Sequence, residues 1–198
     1  MRDLTAAALH RMSQPLTVLR GTAELALIRP LTAEEYRQAM LTMARETERL
    51  VALAQALRAL HAPAAAPSPV PDPHARLQGE LQPLAAAKGV QLALAAADLP
   101  PAWCEPVLQL GYGALERARQ RLHLRADGSG GTVIEDDGAP LDATAWEQAF
   151  DPFAAGADIA GALRAALARR QLEALGAALA TGPSPEGGNQ LRVTGPKP

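Results

Sequence analysis

His10 is the residue of this 198-residue chain whose type and surroundings point most directly to chemistry. A neutral imidazole nitrogen is a nucleophile near pH 7, and it can take up a phosphoryl group and pass it to a carboxylate. Pro15 follows inside an apolar helical pattern, where a proline removes a backbone hydrogen bond and bends the helix. We expect a bend near His10 and Met12 that exposes the imidazole. The alternative is a surface histidine that happens to precede a proline.

Two helices are predicted to position His10. Residues 3–28 form the first helix, residues 29–31 a tight turn and residues 32–60 the second helix, so the N-terminal part of the chain is a helical hairpin. Thr32 is the expected N-cap of the second helix, because its hydroxyl can accept a hydrogen bond from a backbone N–H group of the first turn.

The second predicted helix carries a heptad pattern, in which the residues of one face are spaced alternately four and three apart. These seam residues are Tyr36, Met40, Met43, Thr47, Leu50, Ala54 and Leu57. A hairpin of two helices cannot bury both of its apolar stripes alone, so we expect two copies to pair as a four-helix bundle. The chain is therefore predicted to be a homodimer. The alternative is that the seam packs against the rest of the same chain.

Composition and charge exclude several classes of protein. The net charge of −2 gives no basic footprint, so we expect no nucleic-acid partner. Cys104 is the single cysteine, which excludes an intrachain disulfide framework. No apolar run approaches the roughly 20 residues that cross a bilayer, so we expect no membrane contact and a cytoplasmic location.

The remainder of the chain is predicted to form a second domain. Five prolines between residues 62 and 73 indicate an extended linker, which leaves residues 1–61 as the first domain and residues 74–198 as the second. In the second domain helices are predicted at 74–87, 106–121 and 160–176, and strands at 90–94, 122–126, 132–135, 177–181 and 190–194. This order predicts an α+β domain with helices on one face of a sheet. No histidine or cysteine pair has metal-ligand spacing, so no metal site is predicted.

Several ordered strings make the chain resemble the core of two-component histidine kinases. The string around His10 resembles the phosphoacceptor box of their dimerisation hairpin, residues 133–138 resemble an Asp-x-Gly box, and residues 150–153 resemble the F box. The resemblance implies that the second domain is an α/β sandwich of the Bergerat type, which binds ATP in this family. It also implies that Asp136 and Gly138 correspond to the residues that contact adenine.

The positions that handle the ATP phosphates in this family depart from its pattern. Gly113 and Gln109 stand where the family has asparagines, one of which holds magnesium, and a glycine has no side chain to ligate a metal. Arg164 stands where a glycine would let backbone N–H groups approach a phosphate. We therefore expect a degenerate nucleotide site at Gly113, Asp136, Gly138 and Arg164, with no cofactor, no resident metal and no competent ATP binding.

With these losses the chain is most similar to the dimeric histidine phosphotransferases of phosphorelays. This resemblance implies that His10 exchanges phosphoryl groups with the aspartates of receiver domains of response regulators, and that the receiver supplies the magnesium ion. A histidine kinase is a further candidate partner. The expected docking face consists of Arg11, Ser13, Gln14, Thr17 and Arg20.

Two alternatives stay open. A non-enzymatic pseudokinase scaffold would bind a kinase or a response regulator without moving phosphate, and Arg11 favours it, because a guanidinium cannot accept a hydrogen bond from the imidazole as an acidic residue would. An active histidine kinase core would use an atypical nucleotide site built on Asp136, Asp137 and Gly138. We rank it lower, because neutralising the charge of ATP contributes most of phosphoryl-transfer catalysis.

Overall fold

The computed structural model describes residues 2–63, 67–95 and 99–195. By its internal contacts the chain divides into two units. The first unit comprises Met1–Ala62 and the segment Pro152–Ala160, and the second comprises Pro63–Asp151 and Gly161–Pro198. The domain and linker boundaries given by the sequence stay predictions.

The elements follow one another as a helical hairpin and then a mixture of helices and strands. The helices are α1 (Arg2–Ile28), α2 (Ala33–His61), α3 (Pro73–Lys88), α4 (Cys104–Arg117), α5 (Ala143–Ala149) and α6 (Ile159–Ala174). The strands are β1 (Gln91–Ala95), β2 (Arg121–Ala126), β3 (Thr132–Asp136), β4 (Ala178–Pro183) and β5 (Asn189–Thr194). This architecture confirms the predicted fold class.

A capping box fixes the start of α2. The hydroxyl of Thr32 accepts a hydrogen bond from the backbone N–H of Glu35 at 3.2 Å, and the carboxylate of Glu35 accepts one from the backbone N–H of Thr32 at 2.8 Å. The predicted N-cap is thereby confirmed. Helix α1 runs through Pro15 without interruption, and the bend near His10 stays a prediction.

The same turn gives a pH-dependent prediction for Glu35. Hydrogen bonds from the Arg29 guanidinium, at 2.7 Å, and from Thr32 lower the pKa of Glu35 from 4.5 to about 2. The contribution of this carboxylate to stability is therefore present above pH 4.5 and is lost as the pH falls through about 2. An NMR titration of the carboxyl carbon is expected to give that midpoint, and Arg29→Ala to raise it toward 4.5. Arg37→Ala is the control, since Arg37 pairs with Glu34; an equal rise in both variants would contradict the assignment.

The second unit is built on a five-stranded sheet in the order β1-β2-β3-β5-β4. Strands β1 and β2 are parallel, and all other neighbouring strands are antiparallel. The side chains of Leu122 and Leu124 alternate with exposed or half-buried residues along β2 and are fully buried. They share one hydrophobic core with Leu81 of α3, Leu108 of α4 and other apolar residues of these helices. Aliphatic side chains thus hold helices α3 and α4 on the sheet.

The structure corrects two details of the predicted second domain. Helix α4 ends at Arg117 and not at residue 121, because the carboxylate of Asp137 accepts hydrogen bonds from the backbone N–H groups that follow, those of Arg119, Gln120 and Arg121. Burial opposes the charge of Asp137, but these hydrogen bonds outweigh it and lower the pKa. The sequence also missed α5, whose N-cap Asp142 accepts a hydrogen bond from the backbone N–H of Ala145. Among the described residues no helix has the length and apolarity needed to span a membrane.

Candidate functional site

His10 lies on an exposed face of α1. Ala8 and Pro15 of the same helix are buried, whereas His10, Gln14 and Thr17 are exposed and follow one another at steps of four and three residues. Residues at this spacing share one side of a helix. The imidazole therefore belongs to an outward-facing polar stripe.

Short polar side chains surround His10 on this stripe. The hydroxyl of Ser13 donates a hydrogen bond to the backbone carbonyl of Leu9 at 2.9 Å, and the hydroxyl of Thr17 donates one to the carbonyl of Ser13 at 2.8 Å. Their donor capacity is thus directed into the helix, which leaves oxygen lone pairs facing outward. Arg20 forms an exposed ion pair with Glu24 at 2.6 Å.

Arg11 lies off the exposed stripe. It is half-buried, and its guanidinium donates a long hydrogen bond, 3.5 Å, to the side-chain oxygen of Gln14. The predicted docking residues thus share one region of α1, and Arg11 is the one among them that is not exposed. The contact with Gln14 joins Arg11 to the exposed stripe.

Asp136, at the end of β3, is the centre of the second group of predicted site residues. Its side chain is only 1% exposed. One carboxylate oxygen, Oδ2, accepts hydrogen bonds from Arg117 Nε at 3.1 Å and Nη2 at 2.9 Å. The other, Oδ1, accepts from the backbone N–H of Gly138 at 3.1 Å and from Asn189 Nδ2 at 2.9 Å. Four donors therefore converge on one buried carboxylate.

Asn189 belongs to this site and was missed by sequence reasoning. It is 1% exposed, its amide nitrogen donates to Asp136 and to the backbone carbonyl of Ala139, and its amide oxygen accepts from the backbone N–H of Leu141 at 2.8 Å. The alternation of β5 gives the available signal, because Leu191 is buried on the same face two residues later. A polar residue on an inward-facing strand position requires a buried partner.

Gly138 has to be a glycine in this arrangement. A Cβ at this position would lie 2.7 Å from the backbone oxygen of Arg117 and 2.8 Å from Asp136 Oδ1. The turn after β3 is therefore packed directly against the end of α4.

The residues expected at the phosphate end are engaged with one another. Arg164 forms an ion pair with Glu116 at 2.7 Å, and the amide of Gln109 donates to Glu105 at 2.8 Å. Gly113 offers no side-chain oxygen. Magnesium requires near-octahedral oxygen ligands, and this set, with one glycine and a carboxylate neutralised by an arginine, does not fit it. No group of three or more potential metal ligands occurs in the part of the chain that the structure describes.

A cavity of about 570 Å³ opens beside the Arg164–Glu116 pair. The Lys88 ammonium at its wall donates hydrogen bonds to the backbone carbonyls of Leu115 and Glu116 at 2.8 and 2.6 Å. These carbonyls belong to the last turn of α4, where a cation is favoured. The two cations of the wall, Lys88 and Arg164, are thus both paired with groups of α4. The lining residues are Leu84, Lys88, Tyr112, Leu115, Glu116 and Arg164.

Comparison with known proteins agrees with this layout. Residues 1–62 match the family model of the His Kinase A (phospho-acceptor) domain. Among solved structures, full-length ShkA in complex with AMPPNP is similar over 97% of this chain and 45% of its own, with 24% identity and a TM-score of 0.53. The Acinetobacter baumannii histidine kinase AdeS is similar over 93% of this chain and 95% of its own, with 13% identity and a TM-score of 0.52. No match was found among the curated proteins.

The fold defines the class of protein. A helical hairpin followed by this α/β domain is the architecture of a two-component histidine kinase core. Within it, residues 1–62 match the model of the His Kinase A (phospho-acceptor) domain, in agreement with the resemblance drawn from the sequence. The chain spans less than half the length of ShkA.

Proposed function

We propose that this protein is a histidine phosphotransfer protein of two-component signalling, which carries phosphoryl groups on His10 between the aspartates of receiver domains. The observation that carries the proposal is the exposed position of His10 on a helix of a phosphoacceptor domain. The imidazole lone pair attacks phosphorus and forms the N–P bond, the bond from phosphorus to the aspartyl oxygen breaks, and the carboxylate leaves with that electron pair. The reverse reaction phosphorylates the next receiver.

The second domain supports a donor other than ATP. A triphosphate needs cations that neutralise its developing charge during transfer. Gly113 provides no magnesium ligand, and Arg164 is already paired with Glu116. A receiver domain brings both its phosphoryl group and its own magnesium ion, so it requires neither a magnesium ligand at position 113 nor a free arginine at position 164. Loss of ATP binding is therefore compatible with a working His10.

The stripe around His10 has the character of a docking surface for a receiver. Ser13, Gln14, Thr17 and Arg20 are exposed beside it, and a Cβ at Gly21 would meet nothing within 4 Å. A partner loop can therefore approach the helix backbone closely at Gly21, one turn after Thr17. Arg11 and Gln14 offer N–H donors that can contact phosphoryl oxygens once the group is attached.

The test compares two phosphoryl donors. The purified protein is incubated with magnesium and γ-labelled ATP, and separately with receiver domains labelled with acetyl phosphate. We expect acid-labile label on the protein from a receiver and none from ATP. Label from ATP would support the kinase alternative. No label from either donor, with receivers that still bind, would support a scaffold, for which Arg11 beside His10 is the favourable observation.

We extend the proposal to a homodimer held by the α2 seam. Tyr36 and Met40 of the seam are 44% and 54% exposed, which leaves apolar surface available to a second copy. Met40→Glu is expected to raise the dimer dissociation constant by about 100-fold or more, because it places a charge in the apolar seam. Sedimentation analysis measures this. Leu41→Glu is the control, since Leu41 is also exposed but lies on another side of α2; an equal effect in both variants would contradict pairing through the seam.

A further inference from the structure

Arg117 binds Asp136, the carboxylate to which the resemblance to histidine kinases gives the role of contacting adenine. We propose that its guanidinium is an internal plug, which closes the second domain to adenine and its nucleotides by filling the space around Asp136. This inference rests on the proposed function, in which the domain does not use ATP, and adds the residue that excludes the base. Arg117 thereby becomes a specificity-determining residue of the domain.

The first support is the saturation of Asp136. A carboxylate has about four lone-pair sites, and here two guanidinium N–H groups, the Gly138 N–H and the Asn189 amide fill them. The exocyclic amine of adenine is a donor and needs a free acceptor. It would have to displace a charged donor from a buried ion pair with an uncharged one, which is unfavourable.

The second support is the way in which Arg117 is held. Its guanidinium carbon lies 5.2 Å from the ring centroid of Trp146, which makes a cation–π contact. The Arg117 side chain is 24% exposed. The guanidinium therefore bridges an aromatic ring and a carboxylate, and these are the two features that bind an aminopurine by stacking and by accepting its amine.

The third support comes from Gly113, one helical turn before Arg117. A Cβ at position 113 would lie 3.6 Å from Arg117 Nη1, in ordinary contact. An alanine would therefore fit, and an asparagine extended in this direction would enter the space of the guanidinium. The glycine that removes a magnesium ligand thus also leaves room for the guanidinium of Arg117.

The test measures binding of adenosine to the full chain by calorimetry. We expect Arg117→Ala to bind adenosine at least about tenfold more tightly than the unaltered protein, because Asp136 and the face of Trp146 become available. Inosine, which carries an oxygen where adenosine has its amine, is the matched ligand and should gain less, because it can stack on Trp146 but cannot donate to Asp136. Arg119→Ala, which removes an exposed arginine two residues later, is the matched variant and should gain nothing.

A folded Arg117→Ala that binds adenosine no more tightly than the unaltered protein would overturn the plug. Circular dichroism establishes folding. If the alanine variant does not fold, Arg117→Leu takes its place, since leucine keeps apolar packing in the helix but is shorter than arginine and has no donor for Asp136, and the same gain is required of it. Transfer from a labelled receiver to His10 is measured in parallel. A gain in adenosine binding without transfer would contradict the proposed function alone, and transfer without the gain would contradict the plug alone.

Discussion

His10→Gln is expected to abolish transfer of the phosphoryl group from a labelled receiver domain. The glutamine side chain has a similar size and polarity, but its amide nitrogen has no nucleophilic lone pair, so no N–P bond can form. We expect the rate of labelling to fall by roughly 10³-fold or more. Because His10 is exposed, the free energy of unfolding should change by less than about 0.5 kcal/mol.

His61→Gln is the matched control for this loss. His61 is an exposed histidine at the end of α2, and its Nδ1 lies 2.8 Å from the backbone carbonyl of Leu57. It belongs to the same hairpin but not to the stripe around His10. Labelling that survives His10→Gln would mean that another residue accepts the phosphoryl group. Labelling that disappears equally in His61→Gln would mean that the loss is not specific to His10. The measurement is the acid-labile, base-stable label on each variant after a short incubation.

Local signals in the sequence were sufficient for the hairpin and for most of the sheet. Thr32 and Glu35 lie three residues apart, so their capping box can be predicted from sequence. The alternation of Leu122 and Leu124 likewise reports one buried face of a strand. In each case the residues that determine the structure are neighbours in the chain.

The contacts at Asp136 could not be predicted in this way. Arg117 and Asn189 lie 19 and 53 residues from it, and no pattern within a helix or strand brings them together. The predicted extension of α4 to residue 121 also concealed Arg117, because inside a longer helix it would be an ordinary surface arginine. Helix α5 was missed because seven residues are too few to display a helical period. Tertiary contacts decide all of these features.

The second large effect is expected for Asn189→Ala. The amide is buried and makes three hydrogen bonds, to Asp136, to the carbonyl of Ala139 and to the N–H of Leu141. Its removal leaves those buried groups short of a partner and lets the turn after β3 separate from β5. We expect the free energy of unfolding to fall by about 3 kcal/mol, as for other losses of a buried polar network.

Gln190→Ala separates this effect from the general cost of truncating an amide on β5. Gln190 is the next residue, but it points to the other face, is half-buried and donates one hydrogen bond, to Glu135 at 2.9 Å. Its loss should cost less than about 1 kcal/mol, because water can replace a partner near the surface. Urea unfolding of both variants gives the comparison. Equal losses would mean that the Asn189 amide does not hold the turn, and that Asp136 is kept in place by Arg117 and the Gly138 N–H without it.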